Sequence, residues 1–339
     1  MKARDYIPAL KFGAKIYPED LAAGGNPWSN YFYVDGDNGN DNDNSGQSIE
    51  KAKKTIQAAV TAAVEGDVIY VRPKTPGIWD PVGYEETVII PYTKPNLSII
   101  GVGTGRTLGA LPHMAIGAGA TAMITVRAPG CRIANLSITG TSSTGGGILL
   151  DDNGSTKAAF GTTIENCYFY ENQGSAAAAT GGGVMWAATG GAWQTAIRNC
   201  YFMSNRAGIV LMGTSESRPT DILIEGCEFA SWVSTQIDID IDLGNGSGAQ
   251  GVIIRDCIFS TPDVPAYAGA GTTARYLDLT GCEGIMSNCQ FACISQGTSI
   301  KTFKADGSGA LIPTAVRMSG NYGEAAADAT GDCNDIYRT

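Results

Sequence analysis

The chain has 339 residues, 43% of them hydrophobic, with 45 glycines and a formal net charge of −10. The apolar fraction suffices for a packed interior, while the acidic balance argues against nucleic acid or an anionic membrane as the main partner. No apolar run approaches the roughly 20 residues that a membrane-spanning helix needs.

Residues 1–30 read as an N-terminal arm. Tyr6, Ile7, Leu10, Phe12, Ile16, Tyr17, Leu21 and Trp28 are scattered through it without a period. An arm this rich in aromatic and aliphatic side chains needs a surface to lie on, either its own body or a neighbouring subunit. Its first residues lack the apolar core of a signal peptide, so folding in a reducing cytoplasm is the expectation.

Tyr31 to Val34 reads as a strand, followed by a cluster of hard oxygen donors from Asp35 to Gly46. Asp37, Asp41 and Asp43 are the candidate Ca²⁺ ligands there. No glutamate falls at the twelfth position of a calcium loop, and a solvated turn is the competing reading. Residues 48–64 are predicted as an amphipathic capping helix. Ile49, Ala52, Ile56, Ala59, Val60, Ala63 and Val64 share one face, Ser48 can cap the start, and Gly66 follows the end. Such a helix would plug the open end of a solenoid, whose first coil then begins at Asp67.

The body is organised by a returning phrase. It reads Ile164-Glu-Asn-Cys-Tyr-Phe169, then Ile197-Arg-Asn-Cys-Tyr-Phe202, Ile224-Glu-Gly-Cys-Glu-Phe229, Ile254-Arg-Asp-Cys-Ile-Phe259 and Met286-Ser-Asn-Cys-Gln-Phe291. A looser copy starts at Ile133 and a late one at Met318. Cys167, Cys200, Cys227, Cys257 and Cys289 are 27 to 33 residues apart, a period that marks a solenoid. Apolar residues alternate within Cys-x-Phe as in a half-buried strand. The third position holds Asn, Gly or Asp, residues that tolerate a left-handed backbone and would bend the chain between two short strands. Stacked coils would place Ile on Ile, Cys on Cys and Phe on Phe. The fold class is therefore all-β, a single-stranded right-handed parallel β-helix spanning residues 31–323, with residues 324–339 as a polar tail. The recurring cysteines read as reduced core side chains, since none shows Cys-x-x-Cys spacing.

Small-residue stretches at 141–147, 175–183 and 266–273 read as loops between coils. The sharpest chemical constellation is Gln236-Ile-Asp-Ile-Asp-Ile-Asp-Leu243. Strict alternation would put Asp238, Asp240 and Asp242 in an outward row, joined by Asp278 from the next coil, with Tyr276 and Arg275 as further candidates for that face. Carboxylates so placed suit acid/base work or Ca²⁺ binding; the plainer reading is that an acidic protein simply wears them on its surface. The single histidine, His113, lies coils away, so no Ser/His/Asp set and no histidine-based metal site can be assembled.

The run from Tyr31 to Gly46, Lys54-Thr-Ile-Gln-Ala-Ala59, Gly66-Asp-Val-Ile-Tyr-Val71 and Leu97-Ser-Ile-Ile-Gly101 resembles the opening of pectate-lyase-like right-handed β-helix proteins. That superfamily includes lyases, hydrolases, epimerases and non-enzymatic fibres, so the resemblance implies fold more than activity. Its hydrolases and lyases place carboxylates on an exposed sheet. The segment Tyr6-Ile-Pro-Ala-Leu10 to Gly13-Ala-Lys-Ile-Tyr-Pro-Glu-Asp20 is similar to tailed-phage virion-associated proteins. Beside these resemblances, the unexported and reduced cysteine core, the aromatic arm and the absence of a complete catalytic set point to a non-enzymatic component of a phage particle, a head decoration or projecting fibre. It would grip a capsid or other virion protein through residues 1–30 and associate as a homotrimer, with Val210, Met212 and Trp186 as outward interface positions. The alternative is a depolymerase cutting a bacterial surface polysaccharide with Asp238, Asp240 and Asp278.

Overall fold

A computed structural model describes residues 29–74, 83–103, 105, 110–115, 122–140, 146–151, 159–172, 181–187, 192–212, 218–230, 239–244, 247–261, 275–293 and 310–324. Nearly all of the predicted arm, and the tail beyond Glu324, lie outside the described residues.

One backbone feature shapes each coil. Asn135, Asn166, Asn199, Asp256 and Asn288 adopt φ between 51° and 57°, and Gly226 and Gly320 take the same left-handed conformation at the equivalent place. Each separates a strand such as Thr163–Glu165 from a strand such as Tyr168–Tyr170. The bend lets Ile164, Cys167 and Phe169 all face the interior, where each is buried. A third strand, such as Val184–Trp186, follows further along the chain and closes the coil.

Successive coils stack with every strand pairing parallel to its counterpart. Ile164 pairs with Ile133 and Ile197, Phe169 with Ile138 and Phe202, and Val184 with Ile148 and Ile209. Among the described residues the three sheets hold ten, eight and eight strands. This is the right-handed parallel β-helix expected from the period, with one continuous core along its axis.

The internal columns are regular. Phe169, Phe202, Phe229, Phe259 and Phe291 stack with centroids 4.7 to 4.9 Å apart and planes within 6° of parallel. Beside them runs the thiol column. The Sγ of Cys200 lies 3.7 Å from the Ile164 carbonyl of the preceding coil, and Cys227 repeats this with Ile197 at 3.6 Å. Cys131, Cys167, Cys200, Cys227, Cys257, Cys282 and Cys289 are buried and free. Asn321 ends the column, its Oδ1 accepting from the Cys289 N–H at 2.9 Å and its amide donating to the Met286 carbonyl.

The capping helix is shorter than predicted. Helix α1 is Ile56–Ala62, while Ile49–Lys51 forms a separate 3₁₀ turn. The residues between are drawn into extended pairing beside the first strand: Lys53 N–H donates to the Tyr33 carbonyl and Asp35 N–H to the Lys53 carbonyl. A helix cannot run through backbone already bonded this way. Ser48 makes no cap, and Ile49 and Val64 are 71% and 56% exposed rather than on the buried face. Thr55 caps α1 instead, accepting from Ala58 N–H. The Glu86 carboxylate accepts from Ile56 and Gln57 N–H at 2.8 and 2.9 Å, placing negative charge at the positive end of the helix. Ile56, Ala59 and Val60 join the interior and cover its first coil. No described helix is long and apolar enough to cross a membrane.

Candidate functional site

The third sheet carries the acidic constellation, and its register decides which carboxylates meet. Its strands include Gly146–Leu150, Val184–Trp186, Ala207–Leu211, Ile239–Asp242 and Arg275–Asp278. Ile148, Val184, Ile209, Ile241 and Leu277 form one inward column. The next residue of each strand gives the outward column Leu149, Met185, Val210, Asp242 and Asp278.

The residue before the inward column also turns inside, and this overturns strict alternation. A β-carbon added at Gly147, Gly183 or Gly208 would sit 2.8 to 3.0 Å from a ring carbon of Phe169, Phe202 or Phe229 respectively. Asp240 occupies the same place one coil later and Tyr276 the next. Tyr276 lies in the core, edge-on to Phe259 and Phe291. Asp240 is accordingly 4% exposed rather than part of an outward row. The strands begin at a corner of the coil, where two consecutive residues face the interior. The glycines recurring at this place in the preceding coils were the available signal. Asp238 lies outside the described residues.

The outward acidic pair is therefore Asp242 and Asp278, Cα partners on adjacent strands and both partly exposed. Asp278 Oδ1 accepts from the Thr280 N–H at 3.1 Å and from the Thr280 hydroxyl at 2.8 Å. Arg206 stands beside Asp242. Burial pushes its guanidinium below the ordinary arginine range and the Asp242 charge opposes that. Its Nε is buried without a hydrogen-bond partner among the described residues.

Below the pair, Leu149, Met185 and Val210 join Ala122, Ala187 and Ala207 in a small second apolar cluster against which Met212 packs. Val210 is thus buried, not an exposed interface position. Trp186 is not outward at all: it lies in the main core, its indole N–H donating to the Ala192 carbonyl at 3.1 Å.

The calcium candidates serve the turn they sit in. Asp41 accepts from Lys54 N–H, Thr55 N–H and the Thr55 hydroxyl, and Asp43 accepts from the Asn40 amide. Asp37 donates its N–H to Asp35, whose carboxylate also pairs with Arg72. Among the described residues no group of three or more His, Cys, Asp or Glu is placed to hold a metal. His113 is buried in the second sheet, 3.3 Å from the Ser137 hydroxyl, and is not brought to the acidic pair.

The family described as right handed beta helix region matches residues 120–305, and the chain belongs to it. No curated protein matches by sequence. Among solved structures, the chain is similar to an alginate lyase from Paenibacillus, with 16% identity, a TM-score of 0.54, and coverage of 80% of this chain and 93% of that one. A pectin methylesterase from Aspergillus niger aligns with 14% identity, a TM-score of 0.51, and coverage of 90% and 89%. A rice weevil pectin methyl esterase aligns with 12% identity, a TM-score of 0.50, and coverage of 92% and 94%. At such identities the likeness speaks for the shared fold.

Proposed function

We propose that the chain acts on a polysaccharide through the outer face of its third sheet, with Asp242 and Asp278 as the working carboxylates. One observation carries the reading: two partly exposed carboxylates in register on adjacent coils, next to a buried arginine. Rungs of a parallel sheet lie about 4.8 Å apart. That matches the separation of about 5 Å between the two carboxyls of a retaining glycosidase better than the roughly 6.5–9.5 Å of an inverting one. One carboxyl would give its proton to the glycosidic oxygen while the other attacks the sugar carbon. Water then releases the sugar, with the first group now acting as base. Arg206 sets a positive charge beside Asp242.

Solved structures sharing the fold include enzymes named for alginate and pectin, which adds weight to a polysaccharide substrate. The expected role in a phage particle rests on the reduced cysteine core, the absence of a complete catalytic set and the aromatic arm, nearly all of which lies outside the described residues, and no comparison supports it. The catalytic reading is preferred because it stands on placed side chains. Incubation with purified bacterial capsule or lipopolysaccharide is expected to release new reducing ends. A complete absence of chain shortening across such substrates would sink the proposal.

A further inference from the structure

The coil that begins at strand Ser98–Gly101 departs from those that follow it at the bend between the first and second sheets. Where later coils turn on one left-handed residue, here the chain leaves strand Ser98–Gly101 and returns only at strand His113–Ala115. The described part of this excursion, including Gly103 and Leu111, faces the bends of the coils above. Between them lies a cleft of about 350 Å³, whose other wall is made by Asn135, Asn166, Asn199, Tyr168 and Tyr201. That volume falls in the range of small-ligand sites.

The chemistry of the cleft is specific. Asn166 and Asn199 are exposed, at matching places on successive coils, and neither side chain makes a hydrogen bond among the described residues. Their carboxamides form a ladder of paired donors and acceptors with a rung spacing of about 4.8 Å. Tyr168 and Tyr201 stack at 5.1 Å and supply an aromatic flank. No charged side chain is among the described residues lining the cleft. Just beyond it Arg132 pairs with Glu165, while Arg198 and Arg255 share Glu225. Side-chain amides beside aromatic rings, without net charge, complement a hydroxyl-rich ring with apolar faces. They offer a polyanion no countercharge, and the net charge of −10 repels one.

We infer that this cleft is a binding site for an uncharged oligosaccharide, separate from the acidic pair on the third sheet. The test uses the full chain in calorimetric titrations with short neutral gluco-, manno- and xylo-oligosaccharides, and with oligogalacturonate as the charged control. The variant Asn166→Gly/Asn199→Gly removes both amides while keeping the backbone, since Gly226 already occupies this place on the ladder. Saturable binding of at least one neutral probe is expected, weakened roughly tenfold in that variant with an unchanged thermal midpoint. Binding is expected to be intact in Asp242→Asn/Asp278→Asn, so this site and the proposed catalytic face fail or stand separately. Three results overturn the inference: no neutral probe binds, the glycine variant binds as tightly as the parent, or only oligogalacturonate binds.

Discussion

Gly208 and Phe229 face each other so closely that a β-carbon on the glycine would lie 2.8 Å from the ring. It would also lie 2.6 Å from the Asp240 carbonyl oxygen, so neither the sheet nor the phenylalanine stack has room to yield. Gly208→Ala is therefore expected to destabilise the protein by about 1–3 kcal/mol, the usual scale of overpacking. Phe229→Leu alone costs packing as well, but in the double variant it should recover part of the alanine penalty, because the two sites share one space. Urea unfolding of the two single variants and the double measures the coupling; strict additivity would contradict this contact.

The bend residues give a second prediction. Asn199 holds φ 51°, where a β-carbon without a short polar group is disfavoured. Asn199→Ala should lower stability by about 1 kcal/mol, whereas Asn199→Gly should stay within about 0.5 kcal/mol of the parent. Thermal melts of the pair decide it, and equal losses in both variants would show that the side chain, not the backbone, is what matters.

Buried thiols make stability depend on alkaline pH. Burial pushes the Cys131 thiol up to about 12 and that of Cys282 to about 11. In the unfolded chain a thiol titrates near about 8.5. Below that pH both states keep the proton and the full contribution is present. Between about 8.5 and 12 the unfolded chain loses protons that the folded chain retains, so stability falls as pH rises. Urea midpoints should thus drop from pH 7 to pH 10, with a shallower drop in Cys131→Ala. An identical slope in that variant would remove the thiol from the explanation.

What the sequence revealed and what it hid follow from how local each feature is. The inward Ile, Cys and Phe and the left-handed bend between them lie within six residues, so their repetition disclosed the coil and its stacking. The helix boundary was hidden because Lys53 is held by Tyr33, a contact that no local pattern encodes. The acidic face was half legible. Alternation placed Asp242 and Asp278 correctly but also sent Asp240, Tyr276 and Trp186 outward. Asp240 and Tyr276 sit at a corner where two consecutive residues turn inside, and Trp186 follows the register of Leu150 and Leu211 into the core. Aligning Gly147, Gly183 and Gly208 with the phenylalanines of their own coils would have revealed that corner.

The placement of Asp240 also separates two accounts of catalysis. The outward-row reading makes Asp240 a catalytic group; the register makes it a core residue two positions from the working carboxylate. Because the residue is 4% exposed and continues the inward position of Gly208, Asp240→Asn is expected to change folding stability more than turnover.

The most direct measurement is the rate at which the parent and the Asp242→Asn, Asp278→Asn and Asp240→Asn proteins shorten a cleavable bacterial surface polysaccharide, followed by size-exclusion chromatography. Loss of either member of the outward pair should slow cleavage by about 100-fold or more, the scale of removing an acid/base group. Folded Asp240→Asn should cleave at close to the parental rate. Cleavage that survives both outward substitutions, or vanishes only with Asp240→Asn, would contradict the assignment of the third sheet's outer face as the active surface.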